Sequence, residues 1–164
     1  MENIDKVLGY LDDKEIIYEL FRHPPAFTVE EAQKLCDDIP GMHCKNLFFR
    51  DPKGRNHLLA IFPNTKNVDI KALGQITGYG RLSFASPQRM MKYLGVSPGS
   101  VSPFGLINDT NSEVVLFLDP EVRAAESITF HPNDNSATLL LSRHMFDRFL
   151  STLKNKIELL PAQF

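Results

Sequence analysis

The run His57-Leu58-Leu59-Ala60-Ile61-Phe62 is apolar at every position after its first residue, and no other stretch constrains the fold as tightly. A strand formed there alternates its side chains between two faces, and neither face can be left in water. The run before it, Cys44 to Arg50, is separated from it by Asp51-Pro52-Lys53-Gly54, whose residues carry turn chemistry. Together they predict a β-hairpin inside a layered structure, with cover on both sides of a sheet.

The flanking sequence supplies that cover. Ile4, Val7, Leu8 and Leu11 recur at helical spacing and predict a helix over residues 2–12. Ile16 to Phe21 reads as a strand that His23-Pro24-Pro25 must interrupt, since proline donates nothing to a ladder. Thr28-Val29-Glu30-Glu31 has the form of a capping box, so a helix should run from there to about Cys36. Asp69 can cap a helix to about Gln75, and Ser86-Pro87 can open another that Gly95 closes, with a short strand between them at Leu82 to Phe84. After a Gly/Ser/Pro loop from Gly95 to Gly105, strands are expected at Glu113–Leu118, Ser127–His131 and Ala137–Leu141. Ser142 then caps a closing helix with Phe146, Phe149, Leu150 and Leu153 on one stripe. Helices and strands alternate irregularly around hairpins. That favours an α+β fold, a mixed and mainly antiparallel sheet covered by helices, over a doubly wound parallel sheet. With no repeat or linker in its 164 residues, the chain reads as a single domain, 1–164.

The composition, 43% hydrophobic and 23% charged, suits a folded soluble protein. No apolar run approaches the roughly 18 residues of a membrane span, and Met1-Glu2-Asn3-Ile4-Asp5 lacks the order of a secretion signal, so the expected location is the cytoplasm. Cys36 and Cys44 fit no disulfide framework and read as reduced thiols. The net charge of −2 hides an asymmetry: residues 41–100 hold nine basic and two acidic side chains, whereas residues 1–40 hold four and ten. Such an island can meet phosphates although the whole chain is mildly acidic, or it can balance the acidic first third in space.

Three elements could carry chemistry. Lys45 shares a strand face with Leu47 and Phe49, while Cys44, Asn46 and Phe48 take the other face. A lysine among large apolar groups either snorkels to the rim or holds an anion at a pocket mouth. The loop Gly95 to Gly105 combines glycines that allow close approach with stiffening prolines, and leaves the amides of Ser100, Val101 and Ser102 free to donate. It reads either as a pocket wall or as a surface connection. His131 ends an inferred strand before Pro132-Asn133-Asp134-Asn135, a place for a site residue or for a hydrogen-bonded structural imidazole. His43 lies near both cysteines, but the spacing matches no zinc site.

These elements occur in a longer ordered series: His23-Pro24-Pro25-Ala26-Phe27-Thr28-Val29-Glu30-Glu31, Cys44-Lys45-Asn46-Leu47-Phe48-Phe49, Arg81-Leu82-Ser83-Phe84-Ala85, Leu94 to Asp109, and Phe130-His131-Pro132. The series resembles the YbaK/ProX superfamily of prolyl-tRNA editing proteins, related to the insertion domain of bacterial prolyl-tRNA synthetase. Within it the chain is most similar to the ProXp-ala (PrdX) branch, which hydrolyses alanine mischarged onto proline tRNA. The resemblance implies metal-independent hydrolysis, in trans, of the ester joining a small amino acid to the terminal adenosine of tRNA, with no cofactor. It implies that Lys45 engages the terminal nucleotide, that Gly99-Ser100-Val101-Ser102-Pro103 forms the amino-acid pocket, and that His131 helps set which side chain fits. Asn46 joins the substrate-binding set, Phe27 would limit pocket volume, and Arg81 and Lys71 are candidate acceptor-stem contacts. The implied partner is the acceptor end of mischarged tRNA(Pro), with prolyl-tRNA synthetase or an elongation factor as candidates for handover, and neither membrane nor DNA. Two alternatives stay open: a deacylase of Cys-tRNA(Pro) or another small amino acid, and a non-catalytic tRNA- or synthetase-binding module.

Overall fold

The computed structural model describes residues 2–162. The first helix, α1 (Glu2–Asp13), buries Ile4, Val7 and Leu11, the stripe expected from their spacing. Strand β1 (Glu19–Arg22) begins three residues later than the apolar run suggests. Glu15 takes a left-handed φ of 57°, and the Ile16 amide bonds back to the Leu11 carbonyl at 2.9 Å. Ile16 therefore closes the helix end and enters the core, while Ile17 is 74% exposed.

The helix α2 (Val29–Asp38) is capped by the Thr28 hydroxyl, which accepts from the Glu31 amide. The Glu31 carboxylate reaches past the cap to accept from the Phe27 amide at 2.7 Å, a variation on the expected box. No residue of α2 is buried. Strands β2 (Met42–Arg50) and β3 (His57–Pro63) form the hairpin, antiparallel from Cys44↔Pro63 to Arg50↔His57. At its tip the Asp51 carboxylate accepts from the Arg55 and Asn56 amides and the Asn56 side chain.

There follow α3 (Ile70–Thr77), β4 (Ser83–Phe84) and α4 (Pro87–Leu94), with Asp69 and Ser86 as caps and Gly78 and Gly95 left-handed at the helix ends. Then come β5 (Val114–Leu118), β6 (Ser127–Phe130), β7 (Ala137–Ser142) and α6 (Arg143–Ser151), the last capped by Ser142. Three elements go beyond the sequence reading: a 3-10 turn at Pro103–Asn108, the short helix α5 (Pro120–Ala124) and strand β8 (Ile157–Leu159). The first two open on Ser102-Pro103 and Asp119-Pro120, the cap-plus-proline signal already used for Ser86-Pro87.

The eight strands form one sheet in the order β1-β7-β6-β2-β3-β5-β8, with β4 added to β2. Its pairings are mixed: β2–β6, β3–β5 and β5–β8 run parallel and the others antiparallel. Every residue of β3 is buried, as its composition demands. Leu59 and Ile61 enter the larger cluster under α1, α4 and α6, and Leu58, Ala60 and Phe62 enter a second cluster closed by Leu73 of α3. Each such Leu or Ile contributes roughly 1.5–3 kcal/mol over its exposed state. The C-terminal apolar residues divide: Leu160 is buried with its amide bonded to the Leu118 carbonyl, while Leu159 faces out. Gln163 and Phe164, the rest of that segment, lie outside the described residues.

Candidate active site

β2 is the longest strand, and its two edges differ. One edge pairs with β3 from Cys44 to Arg50. The other meets β6 only at Met42 and His43, and β4 only at Phe49 and Arg50. Between these contacts, residues 44–48 have no strand beside them. The direction of the main chain there follows from its neighbours. The His43 carbonyl accepts from Asn64 just past the end of β3, the Ile61 carbonyl opposite Asn46 turns away to Asp119, and the Phe48 carbonyl accepts from Ala85 after β4. Even-numbered residues thus point their peptide groups at the open edge, and Asn46 presents both its amide and its carbonyl to the gap.

The gap holds a cavity of about 310 Å³. Cys44, Asn46, Leu47 and Phe48 line its strand side, and Pro98, Gly99 and Val101 face them from the loop after α4. His131, the first residue after β6, closes one end, and Phe84 and Met90 stand at the other. The Oδ1 of Asn46 is buried and has no hydrogen-bond partner, alone in this among side-chain atoms of the described residues. Such an oxygen costs about 1–3 kcal/mol when left unsatisfied, and it can accept from a donor that enters the cavity.

His131 has one ring nitrogen committed, Nδ1 at 2.8 Å from the Ala137 carbonyl. A carbonyl can only accept, so Nδ1 carries the proton and the neutral ring keeps a lone pair on Nε2. Burial pulls the His131 pKa below the ordinary histidine value; the bond to Ala137 opposes this, and the charges of His23 and His43 add to it. The Cys44 thiol is pushed up to about 12, by burial first and then by Asp119, so it is a neutral, inert part of the lining.

The loop wall is held from behind. Gly99 has φ +90°, in the left-handed region that glycine tolerates. Ser102 is fully buried: its hydroxyl donates to Asn133 Oδ1 at 2.9 Å and accepts from the Phe104 amide at 3.1 Å. The Ser100 amide, expected to be free, is bonded to the Ser97 carbonyl at 3.1 Å, because the chain makes a tight turn around Gly99.

The residues singled out in the sequence therefore separate. Asn46, Gly99, Val101 and His131 come together around one cavity, whereas Ser100, Ser102 and Pro103 are buried behind its wall and do not line it. Lys45 is likewise outside the lining, although Cys44, Asn46 and Leu47 around it all border the cavity; strand alternation puts Lys45 on the face of Leu47 and Phe49. Phe27 is 83% exposed and borders a different cavity of about 470 Å³ under α2, which begins at His23. The rings of His23 and His131 lie 6.2 Å apart, so the two hollows are neighbours. Lys71 and Arg81 are exposed and flank a third hollow on the α3 side of the sheet. Cys44, Leu47, Phe48, Phe84, Met90 and Pro98 complete the site without having been singled out for it. Alternation gave the Cys44–Phe48 face, but nothing local marks which strand edge lacks a partner.

The sequence profile of the "Aminoacyl-tRNA editing domain" family matches residues 23–149. The chain belongs to the aminoacyl-tRNA editing family. It is similar to the "Prolyl-tRNA editing protein ProX" of Acetoanaerobium sticklandii, with 38% identity over 155 residues and 94% of each chain covered. It is also similar to "Prolyl-tRNA synthetase associated domain-containing protein 1" of Mus musculus, at 33% identity over 132 residues and 78% of each chain. A crystal structure of a candidate trans-editing enzyme for prolyl tRNA synthetase shares the fold at TM-score 0.73 and 19% identity, covering 98% of this chain and 97% of that one.

Every residue lining the edge cavity of this editing domain lies inside the matched span, while α1 and β8 lie outside it. Among the described residues no three His, Cys, Asp or Glu side chains are grouped to hold a metal, and no helix is long and apolar enough to cross a membrane.

Proposed function

We propose that this editing domain acts in trans as an aminoacyl-tRNA deacylase whose substrate is alanine mischarged onto tRNA(Pro). The observation that carries the reading is the cavity in the open edge of β2, small, walled by a glycine turn, and furnished with an unpartnered amide oxygen and a neutral histidine. In the reaction, water adds to the ester carbonyl carbon, the bond from that carbon to the ribose oxygen breaks, the ribose hydroxyl regains a proton and alanine leaves. The Asn46 main-chain amide, fixed by the hairpin and facing the gap, is a donor for the carbonyl oxygen as it gains negative charge. His131 bounds the acyl pocket and sets which side chain fits there. Gly99 lets the loop approach closely, and Val101 gives that wall its apolar surface. Lys45 makes no hydrogen bond or ion pair among the described residues, so its charge remains available to a terminal phosphate at the rim, and Lys71 and Arg81 serve phosphates further along. Phe27 serves the neighbouring hollow. Handover by prolyl-tRNA synthetase or an elongation factor in the cytoplasm belongs to the same reading.

Selectivity rests on exclusion. A pocket cannot favour a methyl group strongly by affinity, but a wall held by the Ser102–Asn133 bond can reject the larger proline ring by a clash. The test is deacylation of preformed Ala-, Cys- and Pro-tRNA(Pro), with Lys45→Ala and His131→Ala alongside. Rapid loss of alanine with proline spared is the expected result. Faster loss of cysteine would move the substrate within the family. Salt-dependent binding with no turnover of any ester would make the chain a tRNA-binding module instead.

A further inference from the structure

Phe84 is 57% exposed, yet it does not move freely. It lies directly opposite Phe49 in the β2–β4 pairing, and the two rings are stacked at 4.9 Å between centroids and 26° between planes. Phe49 is fully buried, so one face of the Phe84 ring is pinned to the core and the other is turned outward. The same residue stands at the end of the edge cavity away from His131. Extending the β2–β6 register by two residues sets His131 level with Lys45, while Phe84 is level with Phe49. Those levels are four strand residues apart, about 13 Å at about 3.3 Å per residue. That span suits one nucleoside with an acyl group on its sugar.

We propose that Phe84 is the stacking platform for the terminal nucleobase of the acylated RNA, with the acyl group seated toward His131 and Gly99. The inference rests on the deacylase reading and adds to it where the nucleoside goes. A base offers a flat π face whatever its hydrogen-bonding edge, and an aromatic ring already held flat gains the contact with little loss of side-chain freedom. Charge supports the same direction of entry. Arg81 precedes Phe84 by three residues, and with Lys71 it borders the hollow floored by Ile70 and Leu82, whose side chains join the same core cluster as Phe49. Phosphates leading away from a base stacked on Phe84 can run toward these two cations without crossing the sheet.

The test uses a minihelix carrying the acceptor end, with 2-aminopurine as its 3′ base, and the full chain. Fluorescence of the 2-aminopurine should fall on binding to the unaltered protein and to Phe84→Trp, and should stay unquenched at saturating Phe84→Ala. Equal quenching by Phe84→Ala, or none by the unaltered protein, overturns the proposal. This readout needs no hydrolysis, so it separates failure of the platform from failure of the deacylase reading. In turnover, Phe84→Ala should lower kcat/KM about 10- to 100-fold on an adenine-ended acyl minihelix. It should change nothing further on one whose terminal base has been removed; an equal loss on the abasic substrate also overturns the proposal. Thermal unfolding of Phe84→Ala within a few degrees of the parent excludes misfolding as the cause.

Discussion

A buried histidine, His57, and a half-buried one, His131, both lie near Phe48, and the contrast between them separates the scaffold from the candidate site. At the hairpin end, His57 is packed in a cluster of three rings, with Phe48 at 5.8 Å and Tyr93 at 4.1 Å between ring centroids. Its Nε2 lies 2.8 Å from Arg89 Nη1, and the same guanidinium nitrogen donates to the Gly54 carbonyl. A guanidinium only donates, so His57 accepts and must be neutral. Burial first, and then the Arg89 charge, pull its pKa down. At the open end, burial likewise lowers His131, but only Nδ1 is engaged and the ring borders the cavity. Shifts in the same direction thus accompany a latch and a candidate site residue. The shift alone does not tell them apart; the second nitrogen does.

The comparison can be broken most directly by removing each ring. His131→Ala should lower kcat/KM for Ala-tRNA(Pro) about 10- to 100-fold, the range for reshaping a pocket that bounds the acyl side chain, with the unfolding free energy little changed. His57→Ala should do the reverse. Removing a buried ring leaves a cavity and strands Arg89, so urea denaturation should show a loss of about 3 kcal/mol, while deacylation per folded molecule stays within a few-fold of the parent. If both variants lose activity alike with no loss of stability, the division into latch and site is wrong.

A finer test concerns Asn46, whose unpartnered oxygen contrasts with Asp51, where both carboxylate oxygens accept hydrogen bonds. Asn46→Leu removes an unsatisfied polar group and should be neutral or stabilise by up to about 1 kcal/mol in urea titration, while deacylation falls at least tenfold. Destabilisation comparable to a core truncation would show that the amide is structural.

The smallest effect is the pH dependence. Both imidazoles are held neutral in the folded chain and return toward the ordinary value of 6.5 when it unfolds. Below that value the unfolded chain takes up protons that the folded one refuses. Stability is therefore full above about pH 6.5 and is lost as pH falls toward the folded pKa values. Urea midpoints measured between pH 7.5 and 5 should decline, and His57→Gln should flatten the slope. An unchanged slope would mean that His57 titrates normally.

Much of the fold was legible because its signals are local. Thr28, Asp69, Ser86 and Ser142 each accept the amide three residues on, as their sequence context required. The β3 run could only be a doubly covered strand, and it is one. Where local signals misled, a contact distant in sequence or a bond to an earlier turn had intervened. Ile16 was drawn back to α1 by its bond to Leu11, and Ile157–Leu159 became a strand only because the far edge of β5 was there to pair with it.

The amino-acid order determined which residues could form elements, where helices start and stop, and that Lys45 and Asn46 must part to opposite faces of one strand. It also carried the family. Only the tertiary structure decided that β6 stops at Phe130 and β4 starts at Ser83, so that Asn46 faces a gap rather than a neighbour. The reason is one of range: a cap or an alternating face is settled within a few residues, whereas a missing strand partner depends on where three distant segments end.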